Sequence, residues 1–270
     1  MTPFALPGGI VDAWINPNLG AVAGDVSYLF PDLAARLERG TTLEQLIEEM
    51  DAAGVERGVL CSGFFGDDRA WCVRARDLHP DRFALSHVID PRQGMTAVRL
   101  VEDLVRSDDY RLVRMMGLQT LLHYNDAAYY PVYAKCVELG IPVSLNVGFP
   151  GPQVPSKYQD PLPIDDVCAF FPDLSVVLAH GGEPWVDVCV KLMVKWPNVS
   201  YMTSAIAPKH IPAAIFQYAN TRGADRIMFA SDYPLLTHER CLGEAVSLPF
   251  RDAEKLAKFL SGNATALFFS

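Results

Sequence analysis

Short runs of β-branched and other apolar residues alternate along the chain with longer stretches in which apolar positions recur every three to four residues. Eight runs read as strands: Gly9–Ile15, Arg57–Ser62, Phe83–Val88, Leu112–Met116, Pro142–Val147, Leu174–His180, Val199–Thr203 and Ile227–Ala230. Between them lie helical patterns that include Thr42–Ala53, Arg69–Leu78, Met95–Val105, Tyr130–Leu139, Trp185–Val194, Pro208–Tyr218 and Thr237–Val246. Nearly continuous hydrophobic runs such as Val176–Ala179 suit strands covered on both faces, as in parallel sheets. Helix stops are marked by Gly54, by His79-Pro80 and by Gly140 ahead of Pro142. Eight such units predict an α/β fold, one (β/α)₈ TIM barrel spanning residues 1–270 as a single domain. An open doubly wound sheet is the runner-up, and no glycine-rich phosphate turn supports it.

Composition changes this picture little. A chain of 270 residues, half of them hydrophobic, can fill one large core. No apolar run approaches the roughly 20 residues of a membrane span. Met1-Thr2-Pro3-Phe4 opens without a basic stretch leading into an apolar one, so no signal peptide is expected. The six cysteines are widely spaced and form no C-x-x-C pair, which predicts reduced thiols in a cytoplasmic protein. A net charge of −9 argues against nucleic acid or an anionic membrane as partner.

Two segments exceed ordinary strand-to-helix loops. Pro17–Gly40 follows the first strand, and the proline-rich Phe149–Pro163 follows the fifth. Both are expected at the C-terminal face of the barrel, where such folds place their chemistry, as lid or pocket-wall segments. The strand ends supply the chemical groups: Trp14 and Asn16 on the first, Asn146 on the fifth, His180 on the sixth and Asp232 on the eighth. Trp14 and Asn16, two apart, are expected to share the face that lines the barrel. Arg114 ends the fourth strand, either as a structural ion pair or as an anchor for a substrate carboxylate or enolate. His123 and Tyr158 are candidate pocket residues on loops, and His87 a candidate at the end of strand three. Asp67-Asp68 read as a helix cap, while His79, His210 and His238 need no function.

Several motifs in order carry a resemblance. Ala179-His180-Gly181-Gly182 with Pro184-Trp185, then Trp196-Pro197-Asn198-Val199, Thr203-Ser204-Ala205, Ser231-Asp232-Tyr233-Pro234 and Gly262-Asn263-Ala264 resemble the amidohydrolase superfamily. The likeness is to its amidohydrolase-related branch, which contains aminocarboxymuconate-semialdehyde decarboxylase. That branch opens with Asp-x-His-x-His-Pro, and here the frame reads Asp12-Ala13-Trp14-Ile15-Asn16-Pro17. The strand-five histidine is matched by Asn146. Of the metal shell that the resemblance implies only Asp232 remains, together with His180, which in the decarboxylases serves acid–base chemistry.

An indole nitrogen only donates, and amide oxygens are weak zinc ligands. The expectation is therefore no cofactor, with zinc disfavoured by the replacements at Trp14, Asn16 and Asn146. His180 and Asp232 are the expected catalytic pair. Trp14, Asn16, Arg114, Asn146, His123 and Tyr158 are expected to bind substrate, with the two amides polarising a carbonyl. The function expected first is a metal-independent hydrolase cleaving a C–C, ester or lactone bond. The stretch Tyr130–Gly140 with Val147-Gly148 and Gly151-Pro152 resembles a hydrolase group that acts on aryl β-ketoacyl thioesters. The aromatic residues Trp14, Phe64, Phe65, Phe149 and Tyr158 suit a small aromatic or hydrophobic substrate. A coenzyme A ester stays open, without a basic cluster dedicated to its phosphates. The alternatives are a non-oxidative decarboxylase, distinguished by carbon dioxide release, and a ligand-binding pseudoenzyme, distinguished by binding without turnover. A homodimer is the expected assembly.

Overall fold

The computed structural model describes residues 5–17, 28–29, 33–64, 68–149 and 151–270. The chain start, most of the segment after the first strand, Phe65, Asp67 and Pro150 lie outside the described residues. Eight parallel strands follow one another in chain order around one sheet: β1 (Ile10–Ile15), β2 (Val55–Ser62), β3 (Phe83–Val88), β4 (Tyr110–Met115), β5 (Val143–Asn146), β6 (Val176–Ala179), β7 (Val199–Met202) and β8 (Ile227–Met228). The sheet closes on itself where Ala13 N–H donates to the Phe229 carbonyl at 3.1 Å and Ile15 bridges to Tyr233. The result is the expected (β/α)₈ barrel.

Alternation along the strands sorts the core into two layers. Val59 and Cys61, Ala84 and Val88, Val177 and Ala179, and Met202 and Met228 fill the lumen, joined by Ala264 and Phe268 of the last helix. The opposite strand faces, including Leu60, Leu85, Leu145 and Leu178, pack beneath the surrounding helices. Helix ends agree with local chemistry. Thr42 closes a capping box with Gln45 ahead of Leu43–Ala53, and Gly54 ends that helix at φ 80°. Among the described residues no helix is long and apolar enough to cross a membrane.

Some elements depart from expectation. β8 is two residues long instead of four: Phe229 N–H turns to the Phe259 carbonyl, and Ala230 N–H is taken by Thr203 Oγ1 rather than by a ladder carbonyl. The stretch Pro208–Tyr218 divides into a 3₁₀ turn at Pro208–His210 and a helix at Ala213–Ala219, because Pro212 cannot donate to a continuing helix. Short helices at Leu33–Arg39, Ile164–Phe170 and Asn263–Phe268 were not among those expected. Asp68 precedes the helix Arg69–Leu78 without capping it; its Oδ1 accepts from Gly63 N–H at 2.7 Å.

The two long segments do meet. Tyr28 Oη donates to the Gly151 carbonyl at 2.6 Å, and Leu33 packs with Leu235, Phe64 and Ala205. Within the second segment Gln159 folds back on the end of β5, exchanging two hydrogen bonds with Gly148. Gly148 itself stands at φ 99°, where a Cβ would lie 2.9 Å from the Gly182 backbone. A side chain there would separate the loops that follow β5 and β6.

Candidate active site

The end of β1 breaks strict alternation. Its register against β2 shifts between Asp12 and Ile15. The extra residue lets Ala13 and Trp14 both join the lumen cluster while Ile15 packs outward. Trp14 and Asn16 then lie on one side, as expected, and the indole Nε1–H donates to Asn16 Oδ1 at 2.8 Å. Because that nitrogen only donates, the amide is oriented: Asn16 presents Nδ2 to Asp232 Oδ1 at 2.7 Å and to the Tyr233 carbonyl at 3.1 Å.

His180 and Asp232 stand at the ends of β6 and β8, both in the left-handed region, at φ 68° and 61°. Residues with a Cβ adopt that conformation at a steric cost, so the surroundings must hold them there. Ser204 does this for His180: its Oγ accepts from the His180 backbone N–H at 3.2 Å and lies 2.6 Å from Nδ1. The hydroxyl thereby occupies Nδ1 and fixes the direction in which Nε2 points. That nitrogen faces Asp232 Oδ2 at 3.8 Å. The imidazole also leans on the Trp14 ring, with centroids 4.6 Å apart.

Burial, reinforced by the Arg114 charge, pushes the His180 pKa down to about 3. Burial lifts that of Asp232 to about 7, against the opposing Asn16 hydrogen bond and Arg114 charge. At neutrality the mouth thus holds a neutral imidazole beside a carboxyl poised between its acid and base forms.

Two buried networks support this pair. Asp12 accepts from Trp14 N–H at 3.0 Å, from Ser231 N–H at 2.9 Å, from the Ser231 hydroxyl and from His238 Nε2 at 2.9 Å. It thereby ties β1 to the segment bearing Asp232. His238, expected to have no role, is buried here and stacks on Tyr233. Below the mouth lies Arg114, fully buried. Its Nε donates to Ser86 Oγ and one Nη to the Ala13 carbonyl, both at 2.8 Å, and its guanidinium lies 3.5 Å from the Trp14 ring centroid. The ion-pair reading of Arg114 is therefore corrected: among the described residues it makes no direct salt bridge, and its contacts include a hydroxyl, a carbonyl, a thioether, a thiol and an indole face, while the Asp232 and Asp12 charges act on it from further off. Desolvation lowers its pKa to about 10, so it remains a cation at neutrality.

The other candidates are dispersed. Asn146 is fully buried at the end of β5, in register with Ala179, the residue before His180. Its carbonyl accepts from Tyr124 Oη at 2.5 Å, a buttress that sequence reasoning passed over. His123 and Tyr158 form a separate rim pair, rings 5.3 Å apart, with no contact to His180 or Asp232 among those described. Phe149 is exposed and edge-on to Trp185. His87 is not a lumen residue: it hydrogen-bonds Ser62 Oγ at 2.7 Å and meets the edge of Tyr110, with burial lowering its pKa to about 4. Ser204 was legible only as part of a motif, since no local pattern marks a serine that pins a histidine at the end of the neighbouring strand.

Residues 11–269 match the amidohydrolase family. The chain belongs to that family. The structure is similar to an uncharacterized TIM-barrel protein from Bordetella bronchiseptica, at 29% identity over 96% of this chain and 98% of the other, with a TM-score of 0.78. It shares its fold with 5-carboxyvanillate decarboxylase from Sphingomonas paucimobilis (16% identity, 97% and 99% covered, TM-score 0.72). It also shares it with a dihydroxybenzoic acid decarboxylase from a Polaromonas species, solved with bound manganese and the inhibitor 2-nitroresorcinol (17% identity, 97% of each chain, TM-score 0.73). A comparison with curated proteins gives no match.

The manganese-bearing structures overturn the expectation of no cofactor. Loss of imidazoles at Trp14, Asn16 and Asn146 is not by itself grounds for expecting a metal-free protein, because this fold accommodates a divalent ion. The residues present do not, however, make a recognisable ligand group. Among the described residues no three His, Cys, Asp or Glu side chains converge. Manganese favours oxygen donors, yet the Asn16 oxygen is taken by the indole and its amide hydrogens face Asp232.

Proposed function

We propose that the protein is a non-oxidative decarboxylase, a carbon–carbon lyase, of a small aromatic carboxylic acid, with Asp232 and His180 as the proton-handling pair. The observation that carries this reading is the Asp232 carboxyl. It is buried and fixed by Asn16 through one oxygen, its other oxygen faces His180, and its pKa is raised to about 7. The full-length likeness to decarboxylases of substituted benzoic acids supports the substrate class.

Loss of carbon dioxide from an aromatic ring needs a proton at the carbon that bears the carboxylate. Protonated Asp232 delivers it. The electron pair of the breaking C–C bond returns to the ring, carbon dioxide departs, and the Asp232 carboxylate left behind is held by Asn16 until solvent restores its proton. Neutral His180, its Nε2 3.8 Å from Asp232 Oδ2, is placed to share a proton with Asp232 or with the substrate. The His123–Tyr158 ring pair borders the entrance.

The same pair would also activate water in a hydrolase, with ionised Asp232 as base, and the products separate the two readings. Asp232→Ala and His180→Ala are each expected to lower carbon dioxide release from the true substrate by about 10²–10⁴-fold while circular dichroism shows the barrel intact. Near-native release in both variants would remove the assignment.

A further inference from the structure

The lumen face of β4 and β5 carries buried polarity that the His180–Asp232 pair does not use. Arg114 is a cation whose hydrogen-bond partners are neutral, with the charges of Asp232 and Asp12 acting on it from further off. Beside it in register stands Ser144, fully buried, whose Oγ has no hydrogen-bond partner among the described residues. Two residues further along the same face is Asn146, fully buried, with neither Nδ2 nor Oδ1 partnered. Unmatched polarity of this kind destabilises a fold, and apolar side chains of similar size fill a lumen better. What the three residues have in common is donor capacity: a guanidinium whose hydrogen-bond partners are neutral, an unpartnered hydroxyl, and an amide whose protons, like its oxygen, are unpartnered among the described residues. An anionic oxygen matches those donors.

We propose that Asn146 and Ser144, backed by the Arg114 cation, form an anion subsite that takes a negatively charged oxygen of the aromatic substrate — its carboxylate or a ring phenolate. The proposal deepens the reading above and rests on it only for the aromatic character of the ligand. Charge-assisted hydrogen bonds from Asn146 Nδ2 and Ser144 Oγ fix the oxygen, and Arg114 acts from behind as a fixed charge in a low-dielectric wall.

The test is calorimetric titration of the full chain with three probes of similar shape: 2,6-dihydroxybenzoate, its uncharged amide, and the acidic phenol 2-nitroresorcinol. The natural protein is expected to bind at least one anion about 10–100-fold more tightly than the amide, and whichever anion gains more identifies the oxygen. Asn146→Leu should abolish the preference while raising Tm, since it removes two unpartnered buried atoms; loss of binding then does not come from loss of fold. Arg114→Met should flatten the preference as well. The subsite is wrong if the natural protein shows no anion preference, if either variant keeps it in full, or if Asn146→Leu lowers Tm. Anion preference without carbon dioxide release from any aromatic acid would leave the subsite and remove the lyase reading, and release without preference would do the reverse.

Discussion

Replacing Asp232 by Asn should stabilise the protein, and by an amount that depends on pH in a defined way. Between about pH 4 and 7 the folded chain keeps a proton on Asp232 that the unfolded chain has released, because burial raises the folded pKa from 3.8 to about 7. Folding stability therefore falls as pH rises through this window, with a full effect of about 4 kcal/mol. His180 acts in the opposite sense. Its pKa drops from 6.5 to about 3 on folding, so between those values the unfolded chain holds the extra proton and stability rises with pH. Each group contributes a slope of about 1.4 kcal/mol per pH unit, and from about pH 4 to 6.5 the two cancel. Asp232→Asn keeps the shape and removes one of them. Urea unfolding of the natural chain and the variant at matched pH values, taken as a difference, cancels every other carboxylate and imidazole. The difference should be constant below about pH 4 and grow in favour of the variant by about 4 kcal/mol by pH 8. His180→Gln should give the complementary result, with the natural chain gaining over its variant as pH rises from about 3 to 6.5. A difference between the natural chain and Asp232→Asn that stays flat from pH 4 to 8 would refute the buried, proton-retaining carboxyl.

Ser204→Ala removes the hydroxyl that holds His180 at Nδ1 and at the backbone N–H, and should lower turnover about tenfold with little change in KM, measured by steady-state carbon dioxide release. His238→Phe keeps a ring against Tyr233 but deprives Asp12 of one donor. It should cost about 2 kcal/mol, a Tm fall of about 4–8 °C by calorimetry, without altering the order in which substrates are preferred.

Much of the barrel could be read from the chain because strand parity and helix periodicity each leave a physical imprint: one residue in two faces the lumen, and Gly54 and Gly140 end helices where left-handed backbone is needed. The short strand β8 was over-read, since apolar composition does not reveal that Thr203 takes the N–H of Ala230. At the site, His180, Asp232, Trp14 and Asn16 were legible as strand-end residues, and the structure joins them in one hydrogen-bonded and stacked group. The supports were not legible. Asp12 with His238, and Ser204 with His180, pair across long stretches of chain, and nothing local marks either partner. Arg114 was recognised, but its environment was not, because sequence alone does not say that a charge will lie under an indole instead of beside a carboxylate. The expectation about metal failed for a different reason: it treated ligand types at three positions as decisive when relatives of the same fold carry manganese.

In the proposed reaction Asp232 delivers a proton to the ring carbon that loses its carboxylate. The most direct measurement is turnover of hydroxylated and methoxylated benzoic acids in D₂O, with the product examined by mass spectrometry and proton NMR and the evolved gas collected. The expected result is one equivalent of carbon dioxide per product and one deuterium, placed at the vacated ring carbon, with both lost in Asp232→Asn. A product that gains the elements of water without releasing carbon dioxide would contradict it, as would undiminished deuterium delivery by Asp232→Asn.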